Sequence, residues 1–142
     1  MFSPILQPAI VLVLWTFVMW AWLYATRIPA MQAAKAPLDP NATSAEFNAG
    51  IPPQVRWKAD NYNHLHEQPT LFYAVVAILA LSHSGSGWNL WLAWGYVGVR
   101  VVHSLIQSLG NVILARFSVF MIGSVVLLIL ALRAAMAVFG LG

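Results

Sequence analysis

Glu67 and Arg100 are ionisable residues set among long apolar runs, where an unpaired charge in hydrocarbon costs several kcal/mol, so each marks a candidate functional site. Polar companions surround both. Asp60, Asn63, His64 and Glu67 fall at i, i+3, i+4 and i+7, one stripe of a helix, and Arg100, His103 and Gln107 repeat that spacing further along. On neighbouring antiparallel helices the two stripes face each other inside a bundle. There Glu67 is expected to pair with Arg100 while the imidazoles and amides saturate the remaining donors and acceptors. Such a cluster serves either as a buried ion pair that fixes helix register or as a polar binding site. Beyond it lies a surplus of cations, Arg27, Arg56, Lys58 and Arg116, with Asp60 alone to offset them. That surplus suits an anionic ligand, and it equally suits anionic lipid headgroups at the ends of membrane spans.

Other chemistries find less support. His64, His66, Glu67 and His103 have the ligand types of a zinc or iron site, but His64 and His66 stand two apart and point to different faces of a helix, so no metal is expected. No serine sits in a recognisable nucleophile setting. Cysteine is absent, which removes disulfides, thiolate metal sites and a cysteine nucleophile together, so a reactive thiol has to come from a ligand. The net charge of +3 arises from scattered basic residues, several of them inside apolar segments, and no basic face for nucleic acid results.

The elements that must position these residues follow from composition. Of the 142 residues 61% are apolar and 8% are charged, whereas a soluble domain has about a quarter charged. A spanning helix needs roughly 20 mostly apolar residues. The chain reads as all-α, an integral membrane four-helix bundle in a single domain over 1–142, with spans at 5–26, 55–82, 88–109 and 112–139 and a polar loop at 27–54. The first run lacks a basic n-region and is too long for a signal peptide. Arg27 and Pro29 are expected to close it, and turns are expected at Asp39-Pro40-Asn41 and Ile51-Pro52-Pro53. The second span starts polar, turns apolar after Thr70, and should kink near Leu65 to Pro69. Trp88, Trp91, Trp94 and Tyr96 open the third span as an aromatic belt, and Gly110-Asn111 separates it from the fourth. Basic residues gather in the first loop and beside the third connection, which places both of these in the cytoplasm and both termini outside.

The stretch from Lys58 to Ala74, with Asp60-Asn61-Tyr62-Asn63-His64-Leu65-His66-Glu67-Gln68-Pro69 at its centre, resembles the second-helix signature of the MAPEG family, the membrane-associated proteins in eicosanoid and glutathione metabolism. Arg100 to Gln107, then Asn111 and Arg116-Phe117, is similar to the third helix and the start of the fourth in bacterial members. The resemblance covers nearly the whole chain and implies a homotrimer in a bacterial inner membrane, with glutathione as co-substrate bound between subunits near the cytoplasmic face. It implies a transferase or peroxidase acting on lipophilic small molecules. The alternative is a non-enzymatic membrane subunit or scaffold of the same fold. By resemblance Arg116 is the catalytic arginine that stabilises the thiolate. Arg27, Arg56, Asn63, His64, Glu67, Arg100, His103 and Gln107 supply the glutathione contacts. Family spacing of Asn-x-x-Glu puts its asparagine where this chain has His64, and His103 and Gln107 stand where glutathione-using members often carry tyrosines.

Overall fold

The computed structural model describes residues 2–35, 40–41, 43, 45 and 48–141. Its helices are α1 (Leu6–Ala34), α2 (Pro53–His64), α3 (Gln68–Leu81), α4 (Trp88–Leu109) and α5 (Ile113–Phe139), with no strand among the described residues. Helix α1 packs on α2, α3 and α4; α5 packs on α4 and α3; α2 lies against α4. Two of the helices, α1 and α5, are long and apolar enough to cross a membrane.

Helix α1 does not end at Arg27 and Pro29. It runs on to Ala34, with Pro29 inside it. Proline removes one backbone donor, but the turns that follow (Ala30, Met31, Gln32, Ala33, Ala34) are strong helix formers and carry the helix past the interruption. It closes where Lys35 adopts the left-handed region, φ 51°, and its N–H caps the Gln32 carbonyl. Its 29 residues span about 43 Å at the helical rise, more than the roughly 30 Å of a hydrocarbon core. Part of α1 is therefore longer than the lipid tails can cover, and the charge of Arg27 favours its own end for that part. Of the two expected turns, Asp39-Pro40-Asn41 begins outside the described residues, as does Glu46, whereas Pro52 and Pro53 form the extended lead-in and first residue of α2.

The expected kink is a complete break. Pro69 cannot donate to the Leu65 carbonyl, so α2 stops at His64, the chain tightens through His66 N–H to Asn63 O (3.0 Å) and Glu67 N–H to His64 O (3.1 Å), and α3 restarts with Pro69 in its first turn, where a missing donor costs nothing. The break rotates Glu67 away from the stripe of Asp60, Asn63 and His64. It is exposed, and no ion pair joins it to Arg100 among the described residues. Arg100 finds His64 instead.

Helix α4 is an inside-out amphipath. Asn89, Tyr96, Arg100, His103, Ser104, Gln107 and Ser108 are buried, Arg100 to 1% exposure and His103 to 2%, while Trp88 and Trp91 on the outer face are 74% and 70% exposed. A helix in water reverses this arrangement; lipid favours it, since polar side chains gain only by facing protein. The register against the broken helix is antiparallel: Lys58 meets the Ser108 carbonyl, His64 meets Arg100 and His103, and Gln68 meets Tyr96. Helix α5 closes on α4 at Gly123, where a Cβ would stand 3.1 Å from Val99 Cγ1.

Candidate functional site

Two cavities receive most of the candidate residues. The first, about 730 Å³, lies between α1, α2 and the α4–α5 turn, and Arg27, Arg56, Asp60, Asn63, Asn48 and Asn111 contribute its polar lining. The over-long α1 brings Arg27 down to this level, where its guanidinium donates to Asn48 Oδ1 at 3.2 Å. Helix α2 presents Arg56, Asp60 and Asn63 on successive turns of one face. Two guanidiniums, a carboxylate and three amides in one open space can hold a zwitterion with more anionic than cationic groups.

The second cavity, about 250 Å³, is lined by His64, His103, Gln107, Arg116, Ile113, Phe117 and Phe120. Its rim is apolar, with Ile113 68% and Phe117 59% exposed. Inside, the His64 and His103 rings stack with centroids 5.0 Å apart and an interplanar angle of 18°, and Phe120 meets His64 edge-on at 5.3 Å. Arg100 Nη2 lies 2.7 Å from His64 Nδ1. Arg116 Nη1 donates to Asn111 Oδ1 at 2.7 Å. Asn111 thus lines the first cavity while holding the arginine of the second, and it does so from a left-handed backbone, φ 49°, that asparagine tolerates better than most residues.

The predicted residues therefore divide. Arg27, Arg56 and Asn63 meet in the first cavity; His64, His103, Gln107 and Arg116 meet in the second; Arg100 stands behind His64; Glu67 lines neither. Asn48 has no place in the sequence reading; Asp60 enters it as part of the α2 stripe and Asn111 as part of the family resemblance, neither with a contact of its own. The signal at Asn111 was its place after Gly110, which reads only as a helix break until the left-handed turn shows where the side chain goes. Buried polar atoms cluster along the α2–α4 seam: Arg100 Nε and Nη1, His103 Nδ1, Gln107 Oε1, Ser104 Oγ, Ser108 Oγ and both side-chain polar atoms of Asn61 have no hydrogen-bond partner among the described residues. No cluster of three or more metal-ligating side chains occurs among them either.

Apolar outer faces, two helices of spanning length and polar groups turned inward define the class: a helical-bundle membrane protein whose polar interior opens near the ends of its helices. Residues 5–136 match the MAPEG family, and the chain belongs to it. No curated protein and no solved structure matches the chain.

Proposed function

We propose that this protein is a glutathione-dependent transferase or peroxidase acting on lipophilic electrophiles, assembled as a homotrimer of four-span subunits in a bacterial inner membrane with both termini outside the cytoplasm. The observation that carries the reading is the shared wall at Asn111. A polar, cationic cavity sized for a peptide adjoins a smaller cavity with an apolar rim, and Arg116 stands where they meet. Members of the family generally use glutathione, whose two carboxylates and one ammonium fit Arg27, Arg56 and Asp60 in the first cavity. Glu67, exposed at the α2–α3 turn, would meet the neighbouring subunit's share of an intersubunit site.

In this reading the glutathione sulfur points past Asn111 to Arg116. A guanidinium beside a thiol favours the thiolate, and with Nη1 engaged by Asn111 the other donors of Arg116 are left for the sulfur. The thiol proton leaves to water through the open first cavity. An electrophile enters from the bilayer between Ile113 and Phe117, and the thiolate attacks it in a space that excludes most water. Isothermal titration of the detergent-purified protein with glutathione tests this, beside the Arg27→Ala and Arg116→Ala variants and a size measurement on each. Binding weakened in Arg27→Ala, with conjugation lost in Arg116→Ala, supports the reading. No binding by correctly assembled protein transfers the weight to a non-enzymatic membrane subunit of the same fold.

A further inference from the structure

We infer that the end of the bundle opposite the two cavities carries a binding site for an anionic phospholipid, with Arg133 as its phosphate contact and the outer face of α5 as the bed for its acyl chains. Charge is the first ground. Arg133 is exposed on α5, in line with Ile129 four residues before it and Met136 three after, which are 41% and 43% exposed. A guanidinium in such an apolar file is costly in hydrocarbon unless an anion meets it. The acidic side chains among the described residues stand too far away to do so. Asp60 lies on α2 and Glu67 at its break from α3, whose 14 residues put about 21 Å between Glu67 and the turn that leads to α4. Like-oriented copies in a closed ring carry these acids at the same far level, so a second copy supplies no counter-charge from them.

The guanidinium is also held in place. Arg133 Nε donates to Asn89 Oδ1, and Asn89, itself 7% exposed, donates through Nδ2 to the Ser84 carbonyl at 2.8 Å. This ties the arginine to the first turn of α4, about 9 Å short of the end of α5 at Phe139. An arginine at such a depth extends toward water when it is free to; with Nε engaged by a buried amide, Nη1 and Nη2 stay level with that turn, and they have no partner among the described residues. The same turn presents Trp88 and Trp91, 74% and 70% exposed, which line an open hollow of about 380 Å³ with Gly87. Exposed indoles gather where hydrocarbon meets headgroup, so this level is that of a phosphate rather than of chain ends. A phosphodiester accepts two parallel bonds from a guanidinium, glycerol and ester oxygens accept from indole N–H groups, and the chains run along Ile129 and Leu132. Free phosphate gains nothing from that apolar face, and a zwitterionic lipid brings its own ammonium to a place already positive. A lipid of net negative charge satisfies both the cation and the apolar face.

The test places the protein in neutral detergent micelles and adds phosphatidylglycerol or phosphatidylcholine with identical brominated chains, which quench nearby indoles. The contribution of Trp88 and Trp91 is taken by difference from a Trp88→Phe, Trp91→Phe double variant. In wild type, phosphatidylglycerol should quench that component at about fivefold lower mole fraction than phosphatidylcholine, the scale for one basic residue meeting an anionic headgroup. Arg133→Met continues the apolar file of α5, so it should assemble normally, and it should bring the two lipids level. Arg133→Lys, a point charge without the planar fork, should keep a preference of about threefold. Equal quenching by the two lipids in wild type overturns the inference without recourse to any variant at Arg133. A preference that survives in Arg133→Met overturns it too, by tracing the effect to cations elsewhere. Excess inorganic phosphate should leave the quenching unchanged; displacement of the lipid would make this a site for a free anion and overturn the lipid assignment. The outcome does not depend on glutathione binding, because the site shares no residue with either cavity.

Discussion

The two cavities differ in how their cations are held, and the difference separates binding from chemistry. In the first, Arg27 and Arg56 stand in an open space beside an acidic residue and several amides. In the second, Arg116 is oriented by one short hydrogen bond to Asn111, and Arg100, behind His64, is almost wholly buried with two guanidinium nitrogens lacking partners among the described residues. Exposed cations suit recognition of a charged ligand from water, where each contributes modestly. Arg27 and Arg116 are both half-buried, so what sets Arg116 apart is its shorter hydrogen bond and its neighbour Arg100, which is buried, where low surrounding polarity magnifies every interaction.

That contrast predicts the largest effect at Arg116. Arg116→Ala should cut conjugation by about a hundredfold or more through kcat, the usual loss when a preorganised charge partner is removed, with glutathione affinity changed far less. Ultraviolet absorbance of the bound thiolate reads the same event without an electrophile. A variant that keeps full thiolate absorbance would break the division of labour between the cavities.

Next in size is Lys58, the cation shared by three helices. Its Nζ reaches the Gln54 carbonyl at 3.1 Å and the Ser108 carbonyl near the end of α4 at 3.4 Å, and it lies 4.9 Å from the Trp22 ring centroid on α1. Lys58→Ala should lower unfolding stability by about 2 kcal/mol, the scale for charge-assisted hydrogen bonds to carbonyls, measured by denaturant titration in detergent. Catalysis by the fraction that remains folded should be little altered.

Arg27→Ala sharpens the same comparison from the other cavity. It should weaken glutathione binding about tenfold, equivalent to about 1.4 kcal/mol, raise KM in parallel and leave kcat within about twofold, the pattern of a contact made equally in ground and transition states. A loss confined to kcat would place Arg27 in the chemistry instead.

Much of this contrast is legible in the residue order, and where it is not the cause is local. The inward stripe of Arg100, His103 and Gln107 follows from helical spacing alone, since lipid leaves charged and amide groups no other favourable direction. The position of Glu67 does not. Spacing carries it onto the stripe of His64 only if the helix is continuous, and Pro69 ends that continuity at His64, three residues before Glu67. Arg27, part of the cationic surplus, joins its cavity from inside α1, which continues past Pro29 because of the strong helix formers after it. Asn111 is the least legible, since its role depends on a left-handed turn that places one amide between two cavities.

The smallest expected effect lies farther along the seam, where the polar chain leaves the cavities. Tyr96 OH donates to Gln68 Oε1 at 3.1 Å, Gln68 Nε2 donates to Ser124 Oγ at 2.8 Å, and Ser124 Oγ donates to the Phe120 carbonyl at 2.9 Å, linking α4, α3 and α5 in one file. Tyr96→Phe removes a single link while keeping the ring that stacks on Phe72 at 4.5 Å. Hydrogen bonds between membrane helices average about 0.6 kcal/mol, because the separated helices find other partners, so stability should fall by no more than that. Phe120 is nevertheless shared between this file and the His64 edge contact. If Tyr96→Phe left stability intact yet reduced conjugation, the file would be an extension of the second cavity; unchanged conjugation with a small stability loss keeps it as packing between helices.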